Sequence, residues 1–160
     1  MSVKKIRKLR GIARLCLICY YDITQEVICG SSAGGRVLEL VYASEKVKEQ
    51  CTSVKVAGKL FGGDKVLAIS LLARINALKS AETIKDIIVQ PTFHFHKLSN
   101  KNGRNLEGFF AIDVKSRKEQ WRIILQPLDE NKKPYDSVLI DQIASYVKVV
   151  EITEVSKHYE

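Results

Sequence analysis

The chain has 160 residues, a formal net charge of +8 and a hydrophobic fraction of 46%. That is enough for one domain with its own core, and it excludes a wholly disordered or collagen-like polypeptide. No run of 18 uncharged apolar residues occurs, which excludes a spanning helix, and the basic excess points to anionic partners, nucleic acid first among them.

Residues 1–35 differ from the rest. Six basic side chains (Lys4, Lys5, Arg7, Lys8, Arg10 and Arg14) face two acidic ones, Asp22 and Glu26. A short apolar run at 15–21 leads to the small residues 30–35. The run is too short for a secretory signal, and Asp22 and Glu26 precede the supposed cleavage site. Two expectations remain: a flexible basic extension ending in a glycine-serine linker, or a mis-assigned start whose true codon, GTG or TTG, lies at Val37 or Leu38. Either way a domain is expected over 36–160. Cys16, Cys19, Cys29 and Cys51 make a poor disulfide framework and suit reduced thiols in the cytoplasm. Cys16, Cys19 and Cys29 lack a nearby fourth ligand for a closed zinc site.

From residue 37 the apolar, β-branched stretch 37–42 reads as a strand. Ser44 caps a helix ending near Cys51. Asp64, after Gly62 and Gly63, caps a second helix running to Lys79, with Ala68, Leu71, Leu72, Ile75 and Leu78 on one face. A helical turn at 80–88 stops before Pro91. The period then changes to 2, so Phe93 and Phe95 are expected on one face of a strand and His94 and His96 on the other. Strands follow at 109–114, 121–126 and 147–155, with 121–126 central because it is apolar on both faces. A long loop at 127–146 holds a turn and a helix-like set, Val138, Ile140 and Ile143. This order predicts an α+β fold. Its N-terminal strand and two helices pack on one face of a small, mainly antiparallel, twisted sheet.

Four features carry candidate chemistry. His96 ends a strand beside a basic, turn-rich loop and suits acid or base work near neutral pH. His94 and His96 form a pair with no third metal ligand in view, so no metal and no cofactor is expected. Arg122 is the one charge in an apolar strand. It either pairs with Glu151 or Asp113 as structure, or forks onto a phosphate. Lys97, Lys101, Arg104, Lys115, Arg117, Lys118 and Arg122 bring seven cations into 26 residues.

Taken in order, the segments His96-Lys-Leu98, Gly108-Phe-Phe-Ala-Ile112, Gln120-Trp-Arg-Ile123 and Val150-Glu-Ile152 resemble the HigB-like branch of the RelE/ParE toxin superfamily over residues 36–160. The resemblance implies a RelE-like fold and the toxin of a type II toxin–antitoxin system. Such a toxin is a cytoplasmic, metal-independent endoribonuclease (an mRNA interferase) that cuts mRNA on the ribosome. Its implied partners are a cognate helix-turn-helix antitoxin, the ribosome and mRNA, with no membrane. His96 falls on the family's strand histidine and Arg122 on its phosphate-binding arginine. His158 and Tyr159 stand near the family's closing Asp-Tyr-His, in a shifted register. Lys97, Lys101, Arg104, Arg117 and Lys118 would contact RNA. The alternatives are a ParE-like gyrase-inhibiting toxin and a non-catalytic nucleic-acid-binding domain.

The composition shift before Val37 yields a first prediction. A chain lacking residues 1–35 should keep a single cooperative urea transition; loss of that transition would place the segment in the core.

Overall fold

The computed structural model describes residues 37–100, 103–135 and 139–157, all within one unit of the chain, 34–160. Strand β1 (Glu39–Tyr42) opens it, and Ser44 Oγ then accepts from Val47 N to start α1 (Glu45–Thr52). Where the sequence suggests a connecting stretch, a further helix, α2 (Val54–Leu60), follows at once. Ser53 serves both: its N–H donates to Glu49 O and its Oγ accepts from Val56 N. One serine thus closes one helix and opens the next, a junction that periodicity cannot resolve.

α2 ends in a glycine reversal. Gly62 N–H donates to Lys59 O and Gly63 N–H to Gly58 O, with Gly62 at φ 66° and Gly63 at φ 96°. This is a Schellman closure, and the left-handed backbone is the reason for glycine there. Asp64 Oδ1 then accepts from Val66 N and Leu67 N at 2.8 and 3.0 Å to start α3 (Lys65–Ser80). Leu67, Ala68, Leu71, Ile75 and Leu78 of α3 are buried, close to the expected stripe, with Leu72 at its margin. A five-residue helix, α4 (Ile84–Ile88), is capped by Asp86, whose Oδ2 accepts from Glu82 N and Thr83 N.

The sheet has five strands in the order β1-β5-β4-β3-β2, adding β2 (His96–Lys97), β3 (Phe110–Asp113), β4 (Trp121–Leu128) and β5 (Val149–Lys157). The α+β class holds. β1 runs parallel to β5 and the other three pairings are antiparallel, so the sheet is mixed. β4 is central, as its two-sided burial requires. Ile123 and Leu125 enter the main core with Phe110, Ile112, Ile152 and the helices, while Ile124 joins Leu98, Leu106 and Ala111 in a smaller cluster on the other face. Helices therefore cover one face, and the β2–β3 connection covers part of the other.

Five α-helices occur among the described residues, where the sequence suggested two main ones. The fifth, α5 (Ile140–Ile143), occupies part of the long loop. Its expected turn is present: Asp129 Oδ1 accepts from Asn131 N and Lys133 N. No helix among the described residues is long and apolar enough to cross a membrane.

The expected strand over Phe93–His96 is overturned. Pro91–Phe93 forms a 3₁₀ turn, His94 is left-handed at φ 48°, and pairing begins only at His96. Proline at the first position of the turn fixes φ, and the turn's cap falls on His94.

Cys51 is buried in the main core, and burial pushes its thiol up to about 12 from 9.0. The folded chain therefore holds this proton through a pH range in which the unfolded chain has released it. Stability from this group is complete below about pH 9 and is lost as pH rises towards 12. Urea midpoints between pH 8 and 11 should fall less steeply for Cys51→Ala than for the natural chain. The difference is bounded by about 1.4 kcal/mol per pH unit. Equal slopes would show that the thiol ionises alike in both states.

Candidate active site

Strand alternation sorts the side chains of β3 and β4 onto two faces. Phe110, Ile112, Ile123 and Leu125 go to the helices; Ala111, Asp113, Arg122 and Ile124 go to the other face. Asp113 and Arg122 are cross-strand partners, and Ser156 of β5 continues the row beyond Arg122. His96 lies one row away, opposite Ala111.

Asp113 is the centre of this face. Its side chain is 1% exposed, and Oδ1 lies 3.0 Å from Arg122 Nε and 3.4 Å from His94 Nδ1. Arg122 Nη1 also donates to the carbonyls of Glu119 and Trp121, the turn into its own strand. A buried carboxylate is tolerated only when opposite charge and hydrogen bonds replace its water. Asp113 Oδ2 is buried too and accepts no hydrogen bond from any described residue, as is Ser156 Oγ. The sequence left Glu151 and Asp113 open as partners of Arg122. Glu151 pairs with Gln126, four residues along β4 and so about 13 Å away; Asp113 is the partner.

Arg74 of α3 braces the same corner. Its Nη2 donates to Thr92 O at 2.7 Å and Lys115 O at 3.2 Å, and its guanidinium sits 4.4 Å over the Phe93 ring. Burial lowers its pKa, and the nearby Asp113 carboxylate opposes that shift. Arg74 thus ties the turn before His94 to the connection after β3. Arg74 lies off the apolar stripe of its helix, and nothing in sequence links it to residues 92 and 115.

The two histidines meet although they share no strand. Their ring centroids are 4.8 Å apart with planes tilted by 40°. His96 Nδ1 donates to His94 O at 2.7 Å. A carbonyl oxygen only accepts, so Nδ1 of His96 carries the hydrogen and Nε2 of the neutral ring is the lone-pair atom. No three His, Cys, Asp or Glu side chains among the described residues cluster as a metal site.

The remaining candidates disperse. Lys97 pairs with Phe110, so alternation assigns it to the helix side of the sheet, opposite the side carrying His96. Arg104 lies in the β2–β3 connection and Arg117 and Lys118 in the β3–β4 turn, at opposite ends of β3; all three are exposed. Lys101, His158 and Tyr159 lie outside the described residues, as do Cys16, Cys19 and Cys29. Compared with models of known families, with curated proteins and with solved structures, the chain gives no match.

The buried pair makes a stability prediction. Removing one partner strands the other's charge, so Arg122→Ala and Asp113→Ala should each cost about 3–5 kcal/mol in urea unfolding. The double variant should lose less than the sum, with a coupling of roughly 0.5–3 kcal/mol. Strict additivity would mean that the two charges do not act as a pair.

Proposed function

We propose that this chain is a ribosome-dependent mRNA endonuclease, the toxin of a type II toxin–antitoxin pair with a RelE-like fold. The observation that carries the reading is the sheet face itself. A histidine with its Nε2 as the lone-pair atom lies on the same face as an arginine fixed on the central strand, with cations in the bordering loops. The ordered motif resemblance over residues 36–160 supplies the family.

Cleavage of this kind needs no external nucleophile. The 2′-hydroxyl attacks the adjacent phosphorus, the P–O5′ bond breaks, and the products are a 2′,3′-cyclic phosphate and a 5′-hydroxyl. The step needs a base, an acid and a cation for the charged phosphorane. His96 takes the 2′-hydroxyl proton and Arg122 faces the phosphate, while His158 or Tyr159 is the sequence's choice for the second proton-transfer group. His96 and Arg122 are two strands and two residues apart, about 12 Å between Cα atoms, a span two long side chains bridge through one phosphodiester. Few contacts hold a flexible strand here, so the ribosome supplies much of the positioning, worth roughly 7–11 kcal/mol in favourable cases. Cognate antitoxin and ribosomal RNA are the partners this reading requires.

A second reading, a non-catalytic nucleic-acid-binding domain, is favoured by one observation: Arg122 is committed to Asp113 and to two carbonyls. Mapping 5′ ends of cellular mRNA after induction of the full chain separates the two. Codon-spaced cuts in translated messages are expected. His96→Ala should reduce them by about 10²–10⁴-fold while the protein stays folded. Growth arrest without new 5′ ends would favour the non-catalytic reading or a gyrase target.

A further inference from the structure

The sequence-derived site leaves His94 without a role, yet the fold holds its backbone from two sides. Its backbone is left-handed at φ 48°, a conformation that costs a non-glycine residue energy and concentrates at functional sites. Two devices hold it there. The Pro91–Phe93 turn delivers the chain, with His94 N–H donating to Pro91 O, and Arg74 clamps Thr92 O against Lys115 O. In this position His94 Nδ1 meets Oδ1 of the buried Asp113 at 3.4 Å. Its side chain remains 28% exposed, so the ring has one edge on the carboxylate and another towards solvent.

We infer that His94 is the second proton-transfer group of the site, oriented by Asp113, and that it works with His96 on one ribonucleotide phosphodiester. The inference rests on the ribonuclease reading above. A carboxylate accepts and does not donate, so the contact places a hydrogen on His94 Nδ1 and leaves Nε2 as the atom that exchanges a proton with substrate. The 3.4 Å separation is long for a charge-assisted bond, and catalytic contacts commonly tighten once substrate is bound. His96 has the matching arrangement through His94 O, so both rings turn an Nε2 away from their anchors. With ring centroids 4.8 Å apart, both reach the same phosphate group.

The step balances without a cofactor. The 2′-oxygen-to-phosphorus bond forms as the 2′-hydroxyl proton passes to His96 Nε2. The P–O5′ bond breaks as His94 Nε2 gives its proton to the departing 5′-oxygen. The proton gained by one ring equals the proton lost by the other, and exchange with water resets the pair. Asp113 is a positioning residue: it fixes the His94 ring and touches no substrate. Arg122, on the same oxygen of Asp113, holds that carboxylate in place.

The test uses the full chain on translating ribosomes, reading the initial rate of 2′,3′-cyclic-phosphate ends on a defined mRNA. His94→Asn is the informative variant, because asparagine tolerates left-handed backbone and removes only the imidazole. It should fold and cut at least about 100-fold more slowly, in line with loss of a general acid. Cleavage by His94→Asn at the natural rate would overturn the assignment, and loss in His158→Ala or Tyr159→Phe beside it would return the role to the C-terminal ring with the ribonuclease reading intact. A natural chain that cuts no RNA would remove both.

Nitrogen chemical shifts of the histidine rings give a readout independent of activity. The neutral His94 ring should be the Nδ1–H tautomer, and Asp113→Asn should mix or invert it. If Asp113→Asn does not fold, the natural chain's own His94 tautomer decides, and an Nε2–H ring there would overturn the Asp113 role.

Discussion

A carboxylate sealed into a sheet is the constraint on which this structure turns. Asp113 is nearly inaccessible, and a charge so placed persists only if the surrounding chain supplies what water would have supplied. Arg122 does so from the neighbouring strand, His94 from the turn before β2, and Arg74 adds its charge from the longest helix. These groups come from four segments spread over almost fifty residues. One buried oxygen thus draws together the β3–β4 pair and the approach to the edge strand, and Arg74 of α3 braces the turns on either side of it.

The sheet keeps its main core and its charged row on opposite faces. The helix-covered face carries the main core, with Phe110, Ile112, Ile123, Leu125 and Ile152 set against α3. The other face carries the charged row, shielded at one end by the small cluster of Leu98, Leu106, Ala111 and Ile124. Because the period along a strand is two, the chain can alternate core and site residue by residue through β3 and β4. The surface cations Arg117 and Lys118 lie exposed in the β3–β4 turn, apart from the short row of partly buried charged groups.

Much of the fold was legible from local signals. Asp64 after two glycines marked the start of α3, and the spacing of Ala68, Leu71, Ile75 and Leu78 marked its buried face. The unbroken apolar run of β4 marked a strand buried on both sides. Local signals misled where two competed. Phe93-His-Phe-His96 alternates like a strand, but Pro91 pulls its first half into a 3₁₀ turn. Ser53 closes α1 and opens α2 within one residue, so two short helices look like one helix and a loop.

The sequence by itself determined the order of strand, helices and meander, the central place of β4, and the presence of a lone arginine within it. Those properties depend on neighbours a few residues apart, where periodicity, caps and turn residues act. Only the tertiary structure decided that Arg122 takes Asp113 and not Glu151, that Lys97 faces away from His96, and that His94 meets Asp113. Each of these follows from pairing register or from a bridge such as Arg74 to Lys115. A one-residue shift of register exchanges the faces of a strand, and which faces meet is decided where distant segments pair and pack.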